Sequence, residues 1–159
     1  MPAAKVLTVS DGVAAGTRDD TSGDAIAERL ARAGFEVVSR EVVSDGAARV
    51  SAGLQRLCNA FAGLVVTTGG TGFGPRDETP EGTRTVLGRE APGLAEAMRR
   101  ASDEGGRAFG MLSRGVCGAI GASLVCNLPG SRAGALECLE AMLPAVPHAL
   151  ELLAGGHPH

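Results

Sequence analysis

The sequence lacks long apolar runs, a surplus of positive charge and any N-terminal pattern of a signal peptide. No apolar run approaches the roughly 20 residues that a helix needs to cross a bilayer, so we expect no membrane association. A formal net charge of −3 provides no broad basic surface, which argues against nucleic acid as a partner and favours a small-molecule substrate. These absences together predict a cytoplasmic protein.

Cysteine motifs are also missing. The four cysteines form no CxxC pair and have no histidine at ligand spacing, so they are expected to be buried free thiols rather than zinc ligands: Cys58, Cys117, Cys126 and Cys138. With 159 residues, of which 44% are apolar and 21% charged, the chain has the size and composition of one globular domain. We expect that domain to span 1–155, followed by a flexible tail at 156–159.

Strand-like and helix-like patterns alternate along the chain. Strands are expected at 5–10, 35–43, 63–68 and 123–127, and a short hairpin within 111–121. Helices are expected at about 22–33, 47–60, 81–87, 93–101 and in the leucine-rich stripe 136–153, which Pro144 and Pro147 should break. The alternation predicts an α/β fold, a three-layer sandwich with a mostly parallel central sheet.

Candidate site residues cluster in three loops, at 11–23, 67–80 and 127–131, which each follow a predicted strand. Ligands of open α/β sheets gather at the carboxyl ends of the strands. In the second loop, Gly69, Gly70 and Gly72 allow positive φ angles and bring backbone amides close to an anion, and Thr71 adds a hydroxyl. The turn therefore suits phosphate, although no GK[ST] follows as in a nucleotide P-loop, and a tight turn is the alternative.

Charges of both signs follow that turn. Arg76 can form a forked contact with a phosphate, whereas Asp77 can approach one only if a divalent cation lies between them, which indicates Mg²⁺. Helix capping is the alternative role for Asp77. Asp45, just after the second strand, is either a turn residue or a catalytic one.

The other two loops offer polar groups at predicted helix starts. Asp20 and Ser22 could cap a helix or bind ribose, metal or pterin. Ser131, with the amides that follow Pro129 and Gly130, could hold an anion at the start of the last helix. Two anion sites flanking acidic groups favour a reaction that joins two phosphorylated molecules.

Six segments resemble, in this order, the MogA/MoaB molybdopterin-binding family, which includes the gephyrin G domain: LTVSDGVAAG, DTSG, TTGGTGFGPRDETPEGT, REAPGLAEAMR, LSRGVCG and NLPGS. The resemblance spans about 5–155. It implies the three-layer α/β fold, a homotrimer, and transfer of AMP from ATP to the terminal phosphate of molybdopterin with Mg²⁺ and release of pyrophosphate. The molybdenum-inserting protein of the pathway is an expected partner.

The resemblance also implies residue roles. Asp45 and Asp77 match the two essential aspartates, which are expected to act in catalysis and in metal binding. The positions expected to bind substrate are Asp11, Asp20, Ser22 and Gly23 in the first loop, Thr68, Gly69, Gly70, Thr71, Gly72 and Arg76 in the second, Ser113 and Arg114 in the LSR element, and Pro129, Gly130 and Ser131 in the last loop.

Two alternatives remain open from the sequence. Many relatives carry a basic residue in the segment that corresponds to 118–123, but this chain has none there. The missing phosphate contact favours a non-catalytic molybdopterin-binding or scaffolding protein, although Arg107 could replace that contact. A dinucleotide-binding oxidoreductase is less favoured, because no acidic residue follows the glycine turn at the spacing that such a site needs.

Overall fold

The computed structural model describes residues 1–104 and 109–157. Arg107 lies outside the described residues, as do Pro158 and His159 of the expected tail. The strands are β1 (Ala3–Val9), β2 (Glu36–Val43), β3 (Gly63–Thr68), β4 (Arg89–Glu90), β5 (Cys117–Ile120) and β6 (Ser123–Leu128). The α-helices are α1 (Asp11–Ala14), α2 (Thr21–Arg32), α3 (Ala47–Cys58), α4 (Thr79–Arg84), α5 (Pro92–Ser102), α6 (Arg132–Met142) and α7 (Val146–Leu153).

The described strands form one six-stranded sheet in the order β2-β1-β3-β6-β5-β4. β1 pairs in parallel with β2 and β3, and β3 pairs in parallel with β6; β5 and β4 add antiparallel pairs at one edge. Every residue of β3 and β6 is buried, whereas β2 alternates between exposed and half-buried positions. The central strands are therefore covered on both faces, as the continuous apolar runs predict.

Helices cover the two faces of the sheet in separate layers. On one face, Val6, Leu64 and Cys126 pack in a core with residues of α2, α5, α6 and α7. On the other face, Leu7 and Val65 pack with residues of α3, and α4 packs beside α3. The fold is the predicted three-layer α/β sandwich.

Two helix caps lie at the carboxyl ends of the central strands. The Asp20 carboxylate accepts from the Gly23 amide at the start of α2, and the Ser131 hydroxyl accepts from the Gly134 amide at the start of α6. These side chains satisfy backbone donors that the first helical turn leaves unpaired. The N-termini of α2 and α6 consequently face the same edge of the sheet.

The elements expected from the sequence form with shifted ends, and the break at Pro144 takes the form of a 3-10 turn at Leu143–Ala145. The hairpin expected within 111–121 is wrong: residues Gly110–Leu112 form a 3-10 turn, and β5 forms its hairpin with β6 instead. Gly121, at φ +57°, supplies the two-residue turn between them. α1 and β4 were not predicted, because they are too short to show a hydrophobic period in the sequence.

The four cysteines are free and buried, as expected. A hydrogen bond with Cys117, and then burial, raise the pKa of the Cys126 thiol well above its ordinary value, so that thiol stays protonated and unreactive. In the part of the chain that the structure describes, no helix is long and apolar enough to span a bilayer.

Asn127 joins three elements beneath the carboxyl edge of the sheet. Its side chain is fully buried, its Nδ2 donates to the hydroxyls of Thr67 and Thr83, and its Oδ1 accepts from the Val116 amide 3.1 Å away. These bonds connect β6 to β3, to α4 and to the segment before β5. A buried polar group that loses its partner costs more than the bond contributes.

We expect Asn127→Ala to lower the free energy of unfolding by about 2 to 4 kcal/mol, because it leaves these buried partners unpaired and opens a cavity. Urea denaturation followed by circular dichroism measures the change. The matched control is Asn59→Ala at the chain's other asparagine, which is exposed at the end of α3 and should change the value by less than about 0.5 kcal/mol. Equal effects of the two substitutions would contradict the structural role of Asn127.

Candidate functional site

A cleft of about 690 Å³ opens where the carboxyl ends of β1, β3 and β6 meet the N-termini of α2 and α6. The loops that follow these strands form its walls. Nine of the predicted site residues line it: Asp20, Ser22, Asp45, Thr68, Gly69, Gly70, Asp77, Gly130 and Ser131. The cleft thus brings together all three loops that the sequence singled out.

On the side of the cleft where α3 and α4 begin, Asp45 and Asp11 hold each other in place. The Asp45 Oδ2 accepts from the Asp11 amide at 2.9 Å, and the Asp11 Oδ1 accepts from the Asp45 amide at 3.1 Å. This reciprocal pair connects the end of β1 to the end of β2. One oxygen of Asp45 is therefore anchored, and the other, Oδ1, lies near Gly70.

Arg76, which was predicted to contact a phosphate, is paired with the carboxylate of Asp11 instead. Its Nε donates to Asp11 Oδ2 at 2.6 Å, and its Nη2 donates to the Asp45 carbonyl at 3.0 Å. The hydrogen bond from Arg76 is the largest cause that lowers the pKa of the Asp11 carboxyl, and the bond from the Asp45 amide lowers it further against the effect of desolvation. Asp11 and Arg76 lie beside the cleft and support Asp45.

The glycine turn passes very close to the end of β1. Gly69 has φ +105°, and a Cβ there would lie 2.1 Å from the Val9 carbonyl oxygen; Gly70 has φ +69°, and a Cβ there would lie 2.3 Å from the Thr79 hydroxyl. Only glycine fits both positions. The Gly69 amide donates to the Leu128 carbonyl, so the predicted anion contact cannot come from that amide. No described residue accepts from the amides of Thr71 and Gly72.

Asp77 lies beside that turn. Its Oδ2 accepts from the Gly74 amide at 2.9 Å and lies 3.1 Å from where a Cβ on Gly72 would stand. Arg114 holds this loop in place, because its guanidinium donates to the carbonyls of Gly72 and Asp77. The same guanidinium pairs with Glu81 at 2.7 Å. The loop conformation therefore depends on an arginine that comes from the LSR element.

On the side of the cleft where α2 and α6 begin, Asp20 and Ser22 make contacts that are mainly structural. Asp20 caps α2, accepts from the Thr8 hydroxyl at 2.8 Å and pairs with Arg40 at 3.2 Å. The Ser22 hydroxyl donates to the Gly130 carbonyl, which ties the start of α2 to the loop before α6. Helix capping, one of the two roles left open for Asp20, is therefore observed.

Asp45 and Asp77 would be the ligands of the Mg²⁺ that the family resemblance implies. Each has one oxygen anchored by a backbone amide, which leaves the other oxygen to a cation. Among residues 1–104 and 109–157, no group of three or more acidic, histidine or cysteine side chains could hold a metal ion. Mg²⁺ in phosphoryl-transfer sites commonly takes one or two carboxylates together with phosphate oxygens and water, so a larger protein cage is not required.

The remaining predicted residues lie outside the lining of this cleft. Ser113 and Arg114 line a separate cavity of about 340 Å³, together with residues of α4 and α5. Four others support the cleft from outside its lining, through backbone groups that bond to neighbouring side chains or loops: Gly23, Thr71, Gly72 and Pro129. Their expected contacts with substrate stay predictions.

Two arginines that line the cleft, Arg18 and Arg132, were not predicted as site residues. Arg132 is the first residue of α6, directly after the NLPGS segment, and Arg18 lies in the loop between α1 and α2. Arg18 lies within the first candidate loop, 11–23, and Arg132 directly follows the third, 127–131, so their positions in the sequence could have indicated them. Thr8 and Ser10, at the end of β1, were missed because they read as strand residues.

We expect Arg76→Gln to raise the pKa of the Asp11 carboxyl towards its ordinary value, because it removes the largest cause that lowers it. Carbon-detected NMR titration of the carboxyl groups measures this pKa. Since the pKa in the folded protein is lowered, the pair stabilises the fold above the ordinary pKa, and this contribution is lost as the pH falls through the lowered value. Arg49→Gln is the control, since Arg49 is the smallest cause; an equal shift in both variants would contradict the pairing.

Comparison with known proteins supports the resemblance. The family profile described as "Probable molybdopterin binding domain" matches residues 5–148. The molybdopterin adenylyltransferase of Helicobacter pylori is 38% identical over 155 residues, which cover 96% of this chain and 88% of that protein. The molybdenum cofactor biosynthesis bifunctional protein of Chlorobaculum tepidum is 36% identical over 98% of this chain, which spans 50% of that relative.

A solved structure shares the whole fold. The molybdopterin biosynthesis Mog protein from Mycobacterium ulcerans superimposes with a TM-score of 0.89 at 40% identity, covering 96% of this chain and 99% of that one. Matching sequence and matching architecture thus extend over nearly all of the described residues. The chain belongs to the MogA/MoaB family of molybdenum cofactor biosynthesis.

Proposed function

We propose that this protein is a molybdopterin adenylyltransferase, which transfers AMP from ATP to the terminal phosphate of molybdopterin. The single observation that carries the proposal is the shared cleft, because Asp45, Asp77 and the glycine turn line the same cavity as Ser131 at the N-terminus of α6. A reaction that joins two phosphorylated molecules needs such a cavity with two places for phosphate. The activity named for the Helicobacter pylori relative supports the same reaction.

Asp77 and Asp45 would hold Mg²⁺ through their unanchored oxygens. The ion, when bound, supplies positive charge that neutralises the phosphate oxygens of ATP. Asp11 and Arg76 hold the Asp45 carboxylate in place, and Arg114 holds the backbone that carries Asp77. Carboxylates fixed in this way need little rearrangement during the reaction, which is the basis of electrostatic catalysis.

The transfer is a direct displacement in the proposed reaction. An oxygen of the molybdopterin phosphate forms a bond to the α-phosphorus of ATP, the bond between the α-phosphorus and the bridging oxygen to the β-phosphate breaks, and pyrophosphate leaves with the electron pair. The attacking phosphate is ionised near neutral pH, so no general base is required. The protein contributes alignment of the two reactants and stabilisation of charge.

A non-catalytic role in binding or scaffolding is the second candidate. The observation that favours it is the turn between β5 and β6, where no basic side chain stands in 118–123. Incubation of the purified protein with ATP, Mg²⁺ and molybdopterin separates the two functions. Formation of adenylylated molybdopterin and pyrophosphate supports the transferase, and molybdopterin binding without these products supports the second candidate.

We also propose that the protein is a cytoplasmic homotrimer of one domain that passes its product to a molybdenum-inserting protein. The segment after α5 supports contact with another copy, because Phe109, Met111 and Leu112 are large apolar residues that stand exposed. The Chlorobaculum tepidum relative, named as bifunctional and about twice as long, supports a partner in the same pathway.

We expect Asp77→Asn to lower kcat on the order of 100-fold while KM for either substrate changes by less than about threefold, because the carboxylate acts on charge in the transition state. Initial rates of pyrophosphate release at saturating Mg²⁺ measure both constants. Glu78→Gln is the matched control, since it removes the same charge one residue away, at an exposed position outside the cleft lining. Unchanged kcat in Asp77→Asn would remove this carboxylate from the mechanism.

A further inference from the structure

The two sides of the cleft differ in charge. The carboxylate wall consists of Asp45 and Asp77, and the opposite wall contains Arg18 and Arg132, which we name the arginine wall. Asp45 and Asp77 lie just before α3 and α4, which cover one face of the sheet. Arg18 lies before α2 and Arg132 begins α6, and these helices cover the other face. The two walls therefore lie towards opposite faces of the sheet. An anion that enters the cleft meets repulsion on one side and attraction on the other.

Most arginines around the cleft are already neutralised. Arg76 pairs with Asp11, Arg40 pairs with Asp20 and Asp24, and Arg114 pairs with Glu81. In contrast, no carboxylate of the described residues forms an ion pair with Arg18 or Arg132. Arg49 is also outside these ion pairs, but it lies beside Asp45 and does not line the cleft, so the unpaired positive charge of the lining itself belongs to Arg18 and Arg132.

Acidic groups on the same side offset part of that charge. Asp19 and Asp20 also line the cleft, and the single guanidinium of Arg40 is shared between Asp20 and Asp24. The formal charges around the arginine wall therefore cancel, and its positive charge is local to the guanidinium groups of Arg18 and Arg132. The carboxylate wall is net negative, because Arg76 is paired with Asp11 and Arg49, which lies beside Asp45, offsets only one of the two carboxylates.

The backbone beneath both arginines is fixed, while the side chains are exposed. The Gly12 carbonyl accepts from the amides of Thr17 and Arg18, at 2.9 and 3.2 Å, which holds the loop after α1. Arg132 follows Ser131, the capping residue of α6, and the adjacent Gly130 is held by Ser22. Both arginines therefore line the cleft from backbone positions that these hydrogen bonds hold.

We infer that Arg18 and Arg132 bind the phosphate monoester of molybdopterin, and that this binding does not need Mg²⁺. The inference rests on the proposed function and assigns one wall to each reactant. ATP, which requires a cation beside carboxylates, occupies the carboxylate wall, and the monoester occupies the arginine wall. These arginines also supply the basic contact that the 118–123 segment lacks.

The test is equilibrium binding of molybdopterin to the full chain in the presence of EDTA. Quenching of the pterin fluorescence measures the binding. We expect Arg18→Gln and Arg132→Gln each to weaken binding about tenfold, since each removes a charge-assisted contact with phosphate. Binding to the unaltered protein should weaken as NaCl rises. Arg100→Gln is the matched control, because Arg100 is an exposed arginine on α5 outside the cleft lining and should leave binding unchanged.

Steady-state assays identify which reactant the arginines hold. The inference requires KM for molybdopterin to rise in both variants while KM for ATP stays the same. It is overturned if KM for ATP rises instead, which would place the nucleotide on the arginine wall. It is also overturned if both variants bind molybdopterin as tightly as Arg100→Gln does.

These outcomes are separable from the proposed function. Arginine-dependent binding of molybdopterin without any transfer of AMP would refute the transferase and leave the arginine wall supported. Normal transfer in Arg18→Gln and Arg132→Gln at low molybdopterin concentration would refute the arginine wall and leave the transferase supported. Thermal denaturation of each variant verifies that these exposed substitutions leave the fold intact.

Discussion

The cleft depends on the close approach of β1 and β3 at their carboxyl ends. There, Gly69 lies so near the Val9 carbonyl that no side chain fits between them, and its amide bonds to Leu128 at the end of β6. At this contact the chain turns sharply, and the loop that carries Asp77 then crosses the end of the sheet. A bulkier residue would separate the strand ends, and the two walls of the cleft would no longer face one cavity.

Around that contact, the polar groups serve two purposes. Asp11, Asp20, Arg76 and Arg114 are engaged with other protein groups, and they fix the positions of loops and helix starts. Asp45 and Asp77 each have one oxygen that no backbone amide anchors, and Arg18 and Arg132 line the cleft without an ion pair to any described residue. Residues engaged with other protein groups and residues available to a ligand are thus neighbours in the chain, and motif matching alone does not distinguish them.

Family membership and chemistry have different support. The profile match, the shared fold and the identity to the Helicobacter pylori and Mycobacterium ulcerans proteins establish the MogA/MoaB family. Adenylyl transfer is proposed because Asp45, Asp77, the glycine turn and Ser131 line one cavity that has two places for phosphate. The assignment of one reactant to each wall follows from charge, since a phosphate monoester without a cation avoids carboxylates and binds guanidinium groups.

The sequence by itself determined the class of fold, the places of most strands and helices, and the three loops that form the cleft. It could do so because buried strands and amphipathic helices leave local periods, and because parallel strands end at a common edge. Only the tertiary structure decided that β5 pairs with β6, that Arg76 is taken by Asp11, and that Arg18 and Arg132 face the cavity. Those outcomes depend on which distant groups meet in space, and local sequence patterns carry no record of such long-range contacts.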